Sequence, residues 1–124
     1  MQQPDNAVFK VLDLVHSDGK AEAVLLVNEA SEILAGHFPG HPVVPGACML
    51  QLVKDMLETT LNVKLRLKTA PQMKFMSMVV PGAHQQLRLS ISYRNLDEGS
   101  FAVQAGLDNN ETVCFKFQGI FVHV

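Results

Sequence analysis

Apolar and polar residues alternate along several segments of this chain, and such alternation is typical of strands with one buried face. Val63, Leu65 and Leu67 alternate with basic residues, and the segment from Leu87 to Arg94 repeats the pattern. Further apolar segments of strand-like composition are residues 8–15, 21–27, 101–107 and 113–122. The pattern predicts about six strands.

Short sequences of turn-forming residues separate several of these strands. Asp18-Gly19 lies between the first two, and Asp97-Glu98-Gly99 and Asp108-Asn109-Asn110 separate the last three. An Asp-Gly pair between two apolar segments is a strong hairpin signal. Since such short connections join antiparallel strands, we expect a largely antiparallel sheet.

The segment from Pro45 to Leu61 has the apolar spacing of one long helix, roughly 25 Å in length. Proline is well tolerated in a first helical turn. Apolar side chains cover most of the circumference, so we expect the helix to be largely enclosed. The polar residues share one side and are Gln51, Lys54, Asp55 and Glu58. Before it, residues 29–44 are rich in turn-formers and predict an irregular loop.

The order of two strands, a loop, one long helix and four more strands predicts an α+β fold, in which a curved antiparallel sheet wraps around the helix. The 124-residue length predicts a single domain over residues 1–124. Apolar residues make up 48% of the chain and charged residues 18%, which excludes an intrinsically disordered protein.

Neither a leader sequence nor a membrane span is predicted, because no window reaches the roughly 18 apolar residues that a span requires. The two cysteines, Cys48 and Cys114, lie in apolar segments without the spacing of metal ligands. Both features favour a cytoplasmic protein.

Charge is distributed unevenly. No acidic residue lies between Glu58 and Asp97, whereas six of the ten basic residues do. Two interpretations follow: the basic segment from Lys64 to Arg94 binds an acidic partner, or it is the solvated face of strands. No nucleic-acid partner is expected.

The densest group of chemically versatile residues is His37-Phe38-Pro39-Gly40-His41-Pro42-Val43-Val44-Pro45-Gly46, just before the helix. A helix N-terminus offers unpaired N–H groups, so Gly46 and Ala47 can polarise a carbonyl oxygen. An imidazole such as His37 can move a proton near neutral pH. A single histidine near a helix start can equally be a packing or capping residue.

This string closely resembles the HFPGxPxxPG signature of the 3-hydroxyacyl-[acyl-carrier-protein] dehydratases of the FabZ type. Lys74-Phe75 followed by Val79-Val80-Pro81-Gly82 is similar to that family's second conserved stretch. The resemblance implies a hotdog fold and a homodimer or higher even oligomer, with the active site at the subunit interface.

The resemblance also implies a chemistry. His37 would be the general base acting on a 3-hydroxyacyl thioester, which is carried on the phosphopantetheine of an acyl carrier protein or coenzyme A. The product would be a trans-2-enoyl thioester and water, as in fatty-acid or related polyene synthesis, with no metal or dissociable cofactor. The acyl carrier protein would bind the basic segment from Lys64 to Arg94. The implied substrate-binding residues are Phe38, Gly40, Pro45, Gly46 and Ala47.

One position departs from the family pattern. The second catalytic group is usually a glutamate fourteen residues after the histidine, and this chain has Gln51 there. An amide can hydrogen-bond a hydroxyl group but cannot donate a proton as a carboxylic acid does. Asp55, one helical turn later, is either a displaced acid, a surface charge or a structural partner.

Three functions therefore stay open: a dehydratase with an altered acid, a hotdog acyl thioesterase in which Gln51 or Asp55 positions water, and a non-catalytic thioester-binding or partner subunit. Fold alone cannot separate them. Met49, Val53 and Met56 either line an acyl tunnel or pack in the core.

Overall fold

A computed structural model describes residues 8–36, 43–80 and 86–124 of the chain. These residues form six strands and two helices, in agreement with the predicted number of strands. In chain order the elements are β1 (Phe9–Ser17), β2 (Lys20–Val27), α1 (Glu32–Gly36), α2 (Gly46–Leu61), β3 (Leu65–Phe75), β4 (Gln86–Asp97), β5 (Ser100–Asp108) and β6 (Val113–His123).

All six strands form one antiparallel sheet, with the order β1-β2-β4-β5-β6-β3. The predicted hairpins are confirmed at Asp18-Gly19 and at Glu98-Gly99. Gly19 and Gly99 have φ values of +78° and +76°. Residues with a Cβ atom rarely adopt such positive φ values, which explains the glycine in each turn. Strands β1 and β3 are the two edges of the sheet.

Helix α2 packs on one face of this sheet, in contact with β2, β3 and β4. The helix ends at Asn62, which adopts the left-handed conformation at φ 56°. The carboxylate of Glu58 then accepts a hydrogen bond of 2.8 Å from the Leu65 N–H, which joins the helix end to the start of β3. The buried side of the helix consists of Met49, Leu52, Val53, Met56 and Leu57.

Helix α2 is less enclosed in the single chain than the sequence predicted. Ala47 and Gln51 are exposed, and Lys54, Asp55 and Glu58 are only half-buried. Polar groups on this side keep their contact with water, because burying them without partners is costly.

The prediction of an irregular loop over residues 29–44 was wrong at Glu32–Gly36, where the short helix α1 forms. The Ser31 hydroxyl accepts a hydrogen bond of 3.2 Å from the Ile33 N–H, as at a helix N-cap. Leu34 is buried in the core. Five residues are too few to show helical periodicity. Residues 37–42 lie outside the described part of the chain.

The predicted strand over residues 63–68 begins later and extends much further, since β3 runs from Leu65 to Phe75. Its register with β6 shifts between Leu67 and Thr69 and again between Thr69 and Gln72. Pro71 lies within the second shift. Because β3 is an edge strand, a proline without an N–H donor is tolerated there.

Candidate active site

The N-terminus of α2 begins at the end of an extended segment. Pro45 has φ −62° and ψ 144° and provides no side-chain cap, while the Cys48 N–H donates to the Pro45 carbonyl at 3.0 Å. The first N–H groups of a helix have no acceptor within it. Those of Gly46 and Ala47 therefore form a positively polarised helix end, suited to an oxygen that gains negative charge.

The aromatic ring of Phe75 lies directly against Gly46. A Cβ atom at Gly46 would come within 2.7 Å of the Phe75 Cε1 atom, so only glycine fits beneath the ring as it stands. Phe75 also stacks on Phe115 of the adjacent strand, with 5.0 Å between ring centroids. Phe75 nevertheless has 51% of its surface exposed. It forms an apolar wall beside the polarised helix end.

Backbone hydrogen bonds hold the segments around this wall together. The Val44 N–H, just before α2, donates to the Val79 carbonyl at 2.9 Å. The N–H groups of Met76 and Ser77 both donate to the Cys114 carbonyl, at 2.8 and 3.3 Å. The start of α2 is thereby fixed relative to the end of β3.

Gln51 and Asp55 are joined on the exposed side of α2. The Gln51 Nε2 atom donates a hydrogen bond of 2.8 Å to Asp55 Oδ1. Residues four apart on a helix share one face, which brings Ala47 and Gln51 to the same side as well. The helix end and the amide of Gln51 therefore border one surface, with Asp55 one turn behind.

The other predicted site residues divide into two groups. Pro45, Gly46 and Ala47 lie together at the helix start, as described above. His37, Phe38 and Gly40 lie outside the described residues, as does His41.

Cys48 is half-buried, and desolvation raises the pKa of its thiol, which lowers the thiolate fraction at neutral pH. Met49, Val53 and Met56 are members of the buried hydrophobic cluster, which favours the core-packing interpretation of these three side chains over the tunnel.

Other features of the described residues lie apart from this surface. A groove of about 430 Å³ is lined by residues such as Ser92, Gln104 and Gln118. These residues alternate with core residues, so the groove lies on the sheet face opposite α2. Within residues 8–36, 43–80 and 86–124, no helix is long and apolar enough to cross a membrane. The same residues contain no group of three or more His, Cys, Asp or Glu arranged to hold a metal ion.

The chain is similar to known dehydratases. A family described as ApeI dehydratase matches residues 14–116. The 3-hydroxyacyl-[acyl-carrier-protein] dehydratase FabZ of Rickettsia canadensis (strain McKiel) is 29% identical over 99 residues, which cover 73% of this chain and 68% of the relative.

Solved structures show the fold. The dehydratase heterocomplex ApeI:P from Xenorhabdus doucetiae matches with a TM-score of 0.79 at 17% identity, over 92% of this chain and 97% of that chain. The PaaI protein of E. coli, from the phenylacetic acid degradation operon, has a TM-score of 0.66 at 14% identity, with coverages of 90% and 78%.

The sheet wrapped around one long helix is thus a hotdog fold, as expected. The family match and the FabZ relative place the chain in the class of the hotdog dehydratases. Within that class, the chain belongs to the ApeI dehydratase family, because the family match covers residues 14–116 of its 124 residues. The predicted dehydratase function is confirmed at this level. Neither the thioesterase nor the non-catalytic subunit is favoured.

Phe75 borders the candidate site and was not among the predicted site residues. Its signal was present in the sequence, since Lys74-Phe75 opens the second stretch that resembles the FabZ family. The contact of its ring with Gly46 joins residues that are far apart in the chain, and only the fold reveals it.

Proposed function

We propose that this protein converts a 3-hydroxyacyl thioester, carried on the phosphopantetheine of an acyl carrier protein, to the trans-2-enoyl thioester and water. The observation that carries the proposal is the uncapped start of α2 at Gly46, which borders the same exposed surface as Gln51. A thioester carbonyl bound at the helix end would leave C2 and C3 of the acyl group facing that surface.

Gly46 and Ala47 act on the carbonyl. Removal of a proton from C2 moves negative charge onto the carbonyl oxygen, and the polarised N–H groups of the helix end stabilise this charge more in the transition state than in the substrate. Pro45 fixes the direction in which the chain enters the helix. Phe75 excludes water from one side of the oxygen.

His37 is the general base in this proposal, on the strength of the signature in which it stands. Its imidazole takes the proton from C2 and becomes an imidazolium. Phe38 and Gly40, which belong to the same signature, bind the thioester in this proposal. These three roles rest on the resemblance to the FabZ family.

Gln51 acts on the C3 hydroxyl group. Since an amide cannot supply the proton that the departing hydroxide needs, His37 returns the proton it took from C2. The C2–H and C3–O bonds break, a C2–C3 double bond forms, and the hydroxyl leaves as water. Gln51 holds the C3 hydroxyl group so that a lone pair of the hydroxyl oxygen can accept the proton from the imidazolium.

A second hotdog subunit covers the surface in this proposal. The edge strand β3 and the segment after it carry exposed apolar side chains, and Met78 is 72% exposed. Apolar side chains beside an unpaired strand edge are typical of an interface. We expect a homodimer or a higher even oligomer. The exposed apolar residues are Met73, Phe75, Met76, Met78 and Val80.

The acyl carrier protein is the expected partner of the basic segment from Lys64 to Arg94. Lys74 supports this assignment most directly, because it precedes Phe75 at the end of β3 nearest Gly46 and is exposed. An acidic carrier bound there would present its phosphopantetheine arm near the start of α2. A cytoplasmic location and the lack of any dissociable cofactor stay predictions.

The experiment is mass spectrometry of a 3-hydroxyacyl carrier protein incubated with the wild type, with His37→Ala and with Gln51→Glu. We expect the wild type to remove one water from the carrier-bound acyl group and His37→Ala to be inactive. His123→Ala, which removes an exposed histidine in β6, is the matched control and should keep wild-type activity.

Other products would change the assignment. Release of free acid would make the protein a thioesterase. Turnover only after Gln51→Glu would identify a binding or partner subunit that lacks the acid. Dehydration by His37→Ala at the wild-type rate would exclude His37 as the base.

A further inference from the structure

Gln51 and Asp55 form a matched pair of hydrogen-bonding groups whose orientation is fixed by chemistry. The two atoms in contact are Gln51 Nε2 and Asp55 Oδ1, 2.8 Å apart. An ionised carboxylate only accepts hydrogen bonds, whereas an amide has one donating and one accepting end. The end of Gln51 that faces Asp55 is therefore the nitrogen.

The position of the carboxylate determines which end of Gln51 faces away from it. Turning the amide over would bring its oxygen against the carboxylate oxygen, and the two acceptors would repel each other. Hydrogen bonds to an ionised group are also stronger than those between neutral groups. The carbonyl oxygen of Gln51 is thus kept free of Asp55.

We infer that Asp55 is a positioning residue, which holds the Gln51 amide so that its Oε1 atom accepts the hydrogen bond from the C3 hydroxyl group of the substrate. This inference rests on the proposed function. It assigns Asp55 a role through Gln51 and not as a displaced acid, on the ground that the Asp55 Oδ1 atom contacts Gln51. Without Asp55 an exposed glutamine would sample many rotamers and both amide orientations.

The exposure of the two side chains supports a contact of the substrate with Gln51 and an indirect role for Asp55. Gln51 is exposed and Asp55 is half-buried. Gln51 lies four residues nearer the helix start, where Gly46 and Phe75 are located. The amide can therefore reach a group bound at the helix end, whereas Asp55 lies one turn further away, about 6 Å along the helix axis.

A double-mutant cycle tests the inference with the carrier-bound substrate. We expect Gln51→Ala and Asp55→Ala each to lower kcat about tenfold, the loss of one hydrogen bond to a charged group, while KM stays unchanged. The variant with both substitutions should be no slower than Gln51→Ala alone, because Asp55 acts only through Gln51. Multiplied losses would overturn the inference.

Asp55→Asn separates positioning from acid catalysis. The asparagine Oδ1 atom can still accept from Gln51 Nε2, but its NH₂ group also pairs with a reversed Gln51 amide, and it cannot supply a proton. This variant should therefore lose less kcat than Asp55→Ala without reaching the wild-type value. If Asp55→Asn loses as much as Asp55→Ala, the residue is an acid. Lys54→Ala, which changes a neighbouring charge on the same side of the helix, is the control and should leave kcat unaltered.

A measurement without turnover distinguishes the failure of this inference from that of the proposed function. The side-chain NH₂ resonances of Gln51, identified by their loss in Gln51→Ala, should shift in Asp55→Ala and much less in Asp55→Asn. Unshifted resonances in Asp55→Ala would refute the pairing, whatever the enzyme does. If the resonances shift but the wild type forms no enoyl product, the proposed function is wrong.

Discussion

The two sides of α2 differ in what they contribute. One side consists of five apolar side chains that are each at most 3% exposed and that pack on the sheet. The other carries Ala47, Gln51 and Asp55, which face away from the core. Packing fixes the first side, whereas the second side has few neighbours in the single chain.

This difference explains how one helix can serve both stability and chemistry. The buried side sets where the helix lies and therefore where its N-terminus points. The exposed side is then free to vary without loss of the fold, and here it carries a glutamine where the FabZ family usually has a glutamate. Substitutions on the two sides should accordingly have separable effects on stability and on activity.

The largest effect is expected from Leu57→Ala on the buried side. Leu57 has no exposed surface, and truncating a buried leucine creates a cavity that costs about 3 kcal/mol of unfolding free energy. Urea denaturation measures the loss. Gln51→Ala is the matched substitution on the exposed side and should change the free energy of unfolding by less than about 0.5 kcal/mol.

Equal losses of stability in the two variants would contradict the division between the sides. It would mean that Gln51 also supports the contact with the proposed second subunit and that the fold depends on this contact. The midpoint of denaturation would then rise with protein concentration.

A smaller effect is expected from Gly46→Ala, where the two sides meet at the helix start. The new Cβ would lie 2.7 Å from Phe75 Cε1, so the ring must move away from the helix end. We expect kcat to fall about tenfold, because small displacements at a reacting centre are costly. Stability should change little, since the exposed ring can swing toward solvent.

The rescue variant is Gly46→Ala combined with Phe75→Leu. Replacing the ring by a shorter side chain makes room for the Cβ, and kcat should rise above that of Gly46→Ala alone. Wild-type kcat in Gly46→Ala would show that the Phe75 contact has no part in the reaction. A double variant slower than Gly46→Ala would show that Phe75 acts independently of the clash.

The strands and hairpins were predictable because their signals are local. Alternation over β4 and the Asp18-Gly19 pair each involve residues close in sequence, and the pairing of Ser17 with Lys20 across the first turn follows from that pair. The second half of β3 gave no such signal. Pro71 and two register shifts interrupt its alternation, and pairing with β6 supplies the order that the local sequence lacks.

The candidate site was predictable as a set of residues but not as an arrangement. The helical spacing of Gln51 and Asp55 places them on one face, yet three roles for Asp55 fitted that spacing equally well. The hydrogen bond between their side chains is the observation from which we infer the positioning role. Likewise, the contact between Gly46 and Phe75 depends on how β3 packs beside α2, which no local pattern encodes.

The smallest effect is expected from reversing single charges on the edge strand β3. Lys74 and Arg66 are both exposed on β3, at its two ends and roughly 25 Å apart along an extended strand. If the acyl carrier protein binds beside the helix start, Lys74→Glu should raise KM for the carrier-bound substrate about threefold, as expected for one charge at the rim of an interface. Arg66→Glu, at the far end, should raise KM less.

A short thioester without the carrier protein should show no difference between the two variants. Added salt should reduce the effect of Lys74→Glu because it screens exposed charges. Equal increases of KM for the carrier-bound and the short thioester would mean that Lys74 affects the acyl site and not the docking of the carrier.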